Sequence, residues 1–136
     1  MISATAKEKP GYRIMIIDDD AFLLDMYALK FSQEGFHVMS TLSGIEALEK
    51  LRAGEAPDVF LVDLVMPTMD GFAFLEQLAK EKLAPKALVI VFSNFGQPED
   101  ITRSLKLGAA GYIIKAAATP SEVVRRVCTE MEKRGK

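Results

Sequence analysis

Val59-Phe60-Leu61-Val62-Asp63-Leu64-Val65-Met66-Pro67-Thr68-Met69-Asp70-Gly71 runs four apolar residues directly into a carboxylate. A short apolar run bounded by turn signals reads as a strand buried on both faces, the habit of parallel sheets. Asp63 then stands where a buried strand gives way to a loop. In open parallel sheets the ligand crevice lies outside the carboxyl ends of the strands. Aspartate also starts turns for purely local reasons. This stretch alone therefore supports a functional and a structural reading of Asp63 equally. Met66-Pro67 reads as fixing the loop, and Asp70 as the cap of the next helix.

Working outward, the same pattern recurs. Tyr12 to Ile17 is an apolar run that stops at Asp18-Asp19-Asp20. Asp20 can cap the helix Ala21 to Glu34, where an anionic side chain suits the helix dipole. Asp18 and Asp19 have no such folding role. That helix carries Leu24, Ala28 and Phe31 at helical spacing and ends at Gly35. Phe36 to Leu42 is a strand. Ser43 with Glu46 forms a capping-box pattern before a helix that reaches about Ala53 and is expected to bury Ile45, Leu48 and Leu51. Asp58 to Val62 is the third strand. Gly71 to Lys82 is a helix with Phe72, Leu75, Leu78 and Ala79 on one side, closed by Pro85. Ala87 to Phe92 is the fourth strand. Pro98 to Leu107 is a weaker helix expected to turn Ile101 and Leu105 inward. Tyr112 to Ile114 is the fifth strand. Thr119-Pro120 opens the last helix, with Val123, Val124, Val127, Cys128 and Met131 as its apolar face. Five strand–helix alternations imply an α/β fold, a parallel sheet covered on both faces.

The whole chain sets limits. Its 136 residues fit one domain, and 49% hydrophobic with 26% charged content is ordinary for a globular protein. A net charge of -2 offers no basic field for nucleic acid. A single cysteine, Cys128, cannot build a disulfide framework and reads as an inert core thiol. No apolar run is long enough for a membrane span, and no secretory signal stands at the start. The expected organisation is a flexible tail over 1–10, a folded domain over 11–136 and no second domain, in the cytoplasm.

The strand ends are where the chemistry collects. Asp18 and Asp19 end the first strand, Asp63 the third, Ser93 the fourth and Lys115 the fifth. In a parallel sheet all of these lie on one edge. Clustered carboxylates raise one another's pKa unless a cation neutralises them. A hard divalent ion with oxygen ligands, Mg²⁺ above all, suits such a set. The absence of histidine and further cysteine there argues against zinc or copper. A carboxylate can also be a nucleophile that yields an acyl phosphate. The charge developing on the phosphoryl oxygens then needs stabilising, for which Lys115 offers a cation and Ser93 a hydrogen bond.

Over about Tyr12 to Lys133 the sequence resembles the receiver domain of bacterial two-component response regulators, of the single-domain chemotaxis type. The resemblance is carried by Ile16-Ile17-Asp18-Asp19-Asp20, by Asp63 through Gly71, by Ser93, and by Gly111-Tyr112-Ile113-Ile114-Lys115. It implies a doubly wound, flavodoxin-like (βα)5 fold with strand order 2-1-3-4-5, an order that general fold rules already give for a chemotaxis receiver. It implies Asp63 as phosphoacceptor, with Mg²⁺ held by Asp18, Asp19, Asp63 and the main-chain carbonyl of Val65. It implies Ser93 and Lys115 as phosphoryl-binding groups and Tyr112 as an aromatic switch. The implied activity is phosphorelay signalling rather than conventional enzyme turnover, including self-catalysed Mg²⁺-dependent phosphorylation and dephosphorylation. A sensor histidine kinase or a histidine phosphotransfer protein supplies the phosphoryl group. The face formed by the fourth helix, fifth strand and last helix (α4-β5-α5) meets a downstream protein and is compatible with a phosphorylation-dependent homodimer. Direct contact with nucleic acid or membrane is not implied. His37, the one histidine, starts a strand and is not expected to donate phosphate.

Two positions depart from the family pattern. Ala116 follows Lys115 where the family usually has a cis proline. A cis bond to a non-proline residue costs roughly 2.5–4 kcal/mol, which favours trans and predicts a more mobile Ala116-Ala117-Ala118 loop with Lys115 still in the crevice. Asn94, followed by Phe95, stands where a small residue is usual. Val65 and Phe95 hold positions that influence dephosphorylation in the family, and neither can orient a water, which predicts slow loss of phosphate. Three competing readings are a small-molecule phosphatase or phosphotransferase, a flavodoxin-like cofactor binder, and a receiver cut from a transcription factor. The first lacks a cap domain. The second is opposed by three aspartates where a phosphate loop belongs. The third is left open by Lys133-Arg134-Gly135-Lys136, which could begin a linker.

Overall fold

The computed structural model describes residues 11–134. The expected tail at 1–10 and the last two residues lie outside them. Strands β1 (Arg13–Ile17), β2 (His37–Thr41), β3 (Val59–Val62), β4 (Leu88–Ser93) and β5 (Gly111–Ile114) alternate with helices α1 (Ala21–Gln33), α2 (Gly44–Arg52), α3 (Gly71–Glu81), α4 (Pro98–Lys106) and α5 (Pro120–Arg134). All pairings are parallel and the strand order is β2-β1-β3-β4-β5. This is the doubly wound, flavodoxin-like arrangement that the alternation and the family resemblance implied. No helix among the described residues is long and apolar enough to cross a membrane.

The apolar runs are continuous because both faces of the sheet are covered. Successive strand residues point to opposite faces. Ile14, Ile16, Val59, Leu61 and Ile90 accordingly join a core with α1 and α5, through Leu24, Tyr27, Phe31, Val123 and Val127. Met15, Ile17, Phe60, Val62 and Val91 join a second core with α2 and α3, through Leu48, Phe74 and Leu75. Each central strand is thus held from both sides, which fixes where its last residue projects.

Capping residues set the helix starts. Asp20 accepts the Leu23 N–H at 3.2 Å, Ser43 accepts the Glu46 N–H at 3.1 Å and Asp70 accepts the Ala73 N–H at 2.8 Å. Thr119 and Glu122 exchange reciprocal bonds at the start of α5. The Glu46 carboxylate reaches back past Ser43 to the Leu42 N–H.

Four packing expectations are corrected. Ile45 is exposed and Ala47 faces the sheet instead, beside the expected Leu48 and Leu51. Leu105 is exposed and Ile101 only half-buried, so α4 turns Ser104 inward, its hydroxyl donating to the Asp100 carbonyl at 2.8 Å. Ala79 is exposed and Phe74 takes the inner place on α3. That helix is ended by Lys82, which adopts a left-handed φ of 56°, ahead of Pro85. In the two shortest helices, α2 and α4, few apolar residues define the stripe, and a shift of one position moves the face by about 100°.

Candidate functional site

The topology delivers the predicted set to one crevice. Asp18 follows β1, Asp63 follows β3, Ser93 ends β4 and Lys115 follows β5. Asp18, Asp63 and Ser93 are buried, at 1%, 5% and 0% exposure, while Asp19 is exposed. Lys115 Nζ lies 2.7 Å from Asp18 Oδ2 and 3.2 Å from Asp63 Oδ2. The Asp63 contact is an aligned hydrogen bond. The Asp18 contact is an ion pair whose approach leaves Oδ2 without an aligned donor. The two remaining oxygens are held by backbone: Asp18 Oδ1 accepts the Asp20 N–H at 2.9 Å, and Asp63 Oδ1 accepts the Val65 N–H at 3.3 Å. The ring of Phe92 supports the ammonium from 5.5 Å.

The electrostatics follow from this crowding. Burial pushes the Asp18 carboxyl up, more than Lys115 and the Asp20 N–H pull it down, and the Asp63 charge pushes the same way as burial. For Lys115, burial acts to lower the pKa, but Asp18 and then Asp63 outweigh it and the ammonium is held above its ordinary value. Ligand oxygens of Asp18, Asp19 and Asp63 lie within 4.8 Å of one another. Three carboxylates with one ammonium leave two negative charges uncompensated in a half-closed crevice. Hard oxygen donors at that spacing and that charge fit a divalent cation of the Mg²⁺ kind.

The loop after β4 is stitched to the elements beside it. Ser93 Oγ accepts the Phe95 N–H at 3.3 Å. Tyr112, half-buried on β5, donates its hydroxyl to the Phe95 carbonyl. Burial, then the charges of Asp100 and Asp63, push that phenol up, so it remains a donor. Asn94 Oδ1 accepts the Ala116 N–H at 3.0 Å.

That last bond accounts for the backbone after Lys115. The Lys115–Ala116 bond is trans, as no cis peptide occurs among the described residues. Lys115–Ala117 forms a 3₁₀ turn. A residue other than proline after Lys115 exposes an N–H that needs a partner, and Asn94 supplies one. The Asn94 role was missed from sequence, although an unusual polar residue opposite an unusual N–H was the available signal.

On α1 and in the loops after β3 and β4 several apolar side chains stay in water. Phe22, Met26 and Leu29 recur at i, i+4 and i+7 along α1 with exposures of 84%, 40% and 61%. Val65 and Phe95 are each 48% exposed.

Five parallel strands with an acidic, lysine-bridged crevice at their carboxyl edge define a receiver-type α/β domain. Residues 14–127 match the response regulator receiver domain family, and the chain belongs to it. It is 34% identical over 115 residues to the chemotaxis protein CheY of Thermotoga maritima, covering 84% of this chain and 92% of that one. It is 32% identical over 115 residues to the chemotaxis protein CheY of Treponema pallidum, covering 81% of this chain and 78% of that one. The CheY-like receiver domain protein of Methanospirillum hungatei superposes with a TM-score of 0.82 at 27% identity, over 91% of this chain and 96% of that one. Against matching transcriptional regulators the chain spans about half their length, 46% and 50% in two cases. Receiver domains are signalling modules, and the family places this chain in two-component phosphorelay signalling.

Proposed function

We propose that this chain accepts a phosphoryl group on Asp63 and signals through the face formed by α4, β5 and α5. The observation that carries the proposal is Lys115 Nζ within 3.2 Å of carboxylate oxygens of both Asp18 and Asp63, at the carboxyl edge of the sheet. A buried carboxylate beside a fixed cation is an oriented nucleophile with charge compensation already in place.

Asp18, Asp19, Asp63 and the main-chain carbonyl of Val65 would hold Mg²⁺. When bound, the ion supplies charge neutralisation for the incoming phosphoryl oxygens. The residues do the rest. A carboxylate oxygen of Asp63 attacks phosphorus, forming the O–P bond as the P–N bond to a donor histidine breaks. The electron pair of that bond leaves with the imidazole. Lys115 stays protonated and pairs with the phosphoryl oxygens. Ser93 Oγ gives up the Phe95 N–H and turns its hydroxyl to the new group. That exchange frees the loop which Tyr112 holds, and Tyr112 can move inward, biasing two packings of the α4-β5-α5 face.

The donor is a sensor histidine kinase or a histidine phosphotransfer protein, and the exposed α1 stripe of Phe22, Met26 and Leu29 offers it an apolar face beside the crevice. A downstream protein, or a second copy of the phosphorylated chain, meets the α4-β5-α5 face. The module acts in the cytoplasm, with residues 11–136 as its receiver domain and with no direct contact of that domain with nucleic acid or membrane. It is not a conventional enzyme, although it catalyses its own phosphorylation and dephosphorylation.

Incubation with Mg²⁺ and acetyl phosphate, read by intact mass, tests this. One added phosphoryl group on the wild type and none on Asp63→Asn is the expected result. An unlabelled wild type, or equal labelling of the variant, overturns it.

A further inference from the structure

We infer that Asn94 is a positioning residue for Lys115, acting through the Ala116 N–H. Strand β5 ends at Ile114, the residue in register with Ser93. The sheet therefore stops guiding the chain one residue before the lysine. From Lys115 the backbone enters a 3₁₀ turn whose closing bond, Ala118 N–H to Lys115 carbonyl, is long at 3.5 Å. The Asn94 side chain reaches across 22 residues of sequence to hold this turn at 3.0 Å. Lysine has a four-carbon stem with many rotamers, so its ammonium stays between Asp18 and Asp63 only if its Cα is fixed. Sheet pairing fixes one side of that Cα and Asn94 fixes the other.

The residue type fits the task. A backbone N–H needs an acceptor, and the Asn94 carbonyl provides one without adding a fourth negative charge beside the crevice. Asn94 is also the residue immediately after Ser93. On the phosphoacceptor reading, which this inference rests on, rotation of Ser93 pulls on the clamp. Movement of the β4–α4 loop then reaches the Lys115 turn and the start of α5 without passing through Tyr112.

The test uses Asn94→Ala, Asn94→Asp, Lys115→Ala and the Asn94→Ala/Lys115→Ala pair in the full chain. Amide exchange reads the clamp directly. Protection of the Ala116 N–H falls about two- to tenfold in Asn94→Ala, the fold-change that matches the net worth of one hydrogen bond, and is retained in Asn94→Asp. The Lys115 side-chain NMR signals shift in Asn94→Ala. Labelling by acetyl phosphate slows by about two- to tenfold in Asn94→Ala, whereas adding Asn94→Ala to Lys115→Ala changes nothing further. Unchanged Ala116 protection overturns the clamp. An equal slowing in both backgrounds overturns the action through Lys115. A wild type that takes no label sinks the phosphoacceptor reading alone, and the exchange and Lys115 signals still decide this inference.

Discussion

Replacing Gly71 by alanine should damage both stability and the site, because no side chain can give way. The Gly71 N–H donates to the Leu64 carbonyl at 2.9 Å and folds the loop after Asp63 back on itself. A Cβ at this position would meet the Asp63 carbonyl oxygen at 2.4 Å and Leu64 Cα at 2.7 Å, both backbone atoms. Ordinary contact begins near 3.4 Å, so the loop must yield by about 1 Å. Overpacking of this kind costs about 1–3 kcal/mol. Alanine recovers about 0.5–1 kcal/mol over glycine within a helix, leaving a net loss of about 0.5–2 kcal/mol. At roughly 4 °C per kcal/mol for a chain of this size, Tm falls by about 2–8 °C. The same displacement moves Asp63, and misplacing a reacting group by 1 Å costs up to about a hundredfold in rate. Thermal unfolding followed by circular dichroism, with initial rates of acetyl phosphate labelling by mass, reads both effects. Gly54→Ala is the control: it sits at φ +110° with nothing within 4 Å of the added carbon. Its backbone strain costs about 1–3 kcal/mol and leaves labelling untouched. Wild-type Tm and rate in Gly71→Ala, or equal slowing in Gly54→Ala, would refute the reasoning.

Asp18→Asn should raise Tm at pH 7 in chelator and, on the proposed metal site, abolish the rise in Tm expected when Mg²⁺ is added to the wild type. The folded-state pKa of Asp18 is raised, chiefly by burial, so its ionisation disfavours the native state as pH climbs above the carboxylate range. The advantage of the variant shrinks towards pH 3; a variant that is less stable at neutral pH would contradict this. Glu81 behaves oppositely. Bonds from Arg52 and then Gln77 hold its carboxyl down to about 2, so its contribution is present above pH 4.5 and is lost as pH falls through about 2. Glu81→Gln should therefore flatten the acid limb of Tm between those values at low salt; an unaltered limb would count against the pairing. Val65 and Phe95 carry no group that could orient a water, so the phosphorylated chain should lose its label over minutes or longer, and decay within seconds would overturn that expectation.

The parts of the fold legible in sequence are those in which one residue type has one physical use. Uninterrupted apolar runs at β1, β3 and β4, bounded by turn residues, read as doubly covered strands, and Asp20, Ser43 and Asp70 read as caps. Asp18, Asp63, Ser93 and Lys115 were visible as a group because a parallel sheet sends all its strand ends to one edge. What sequence could not show depended on neighbours far along the chain. On α2, Leu48 and Leu51 are buried as their spacing predicts, but Ile45 is exposed and Ala47 takes an inner place, because nine residues hold too few apolar positions to fix the edge of the face. Asn94 was read as a mere departure because its partner N–H lies on another strand's loop. The end of α3 at Lys82 is legible, but the left-handed turn made there is not, since that backbone on a lysine leaves no compositional mark.

Helix α4 turns a serine, not a large apolar side chain, toward the sheet, and its Gln97 start has no side-chain cap. Little apolar surface is therefore re-exposed when this helix shifts or frays, and local opening free energy is low where few apolar contacts must be broken. Its amides should be the first of the five helices to exchange with solvent. The segment nearest the β4 loop is thus the domain's softest cooperative unit. A signal worth one rearranged hydrogen bond therefore weighs more against the packing of α4 than against that of the sheet.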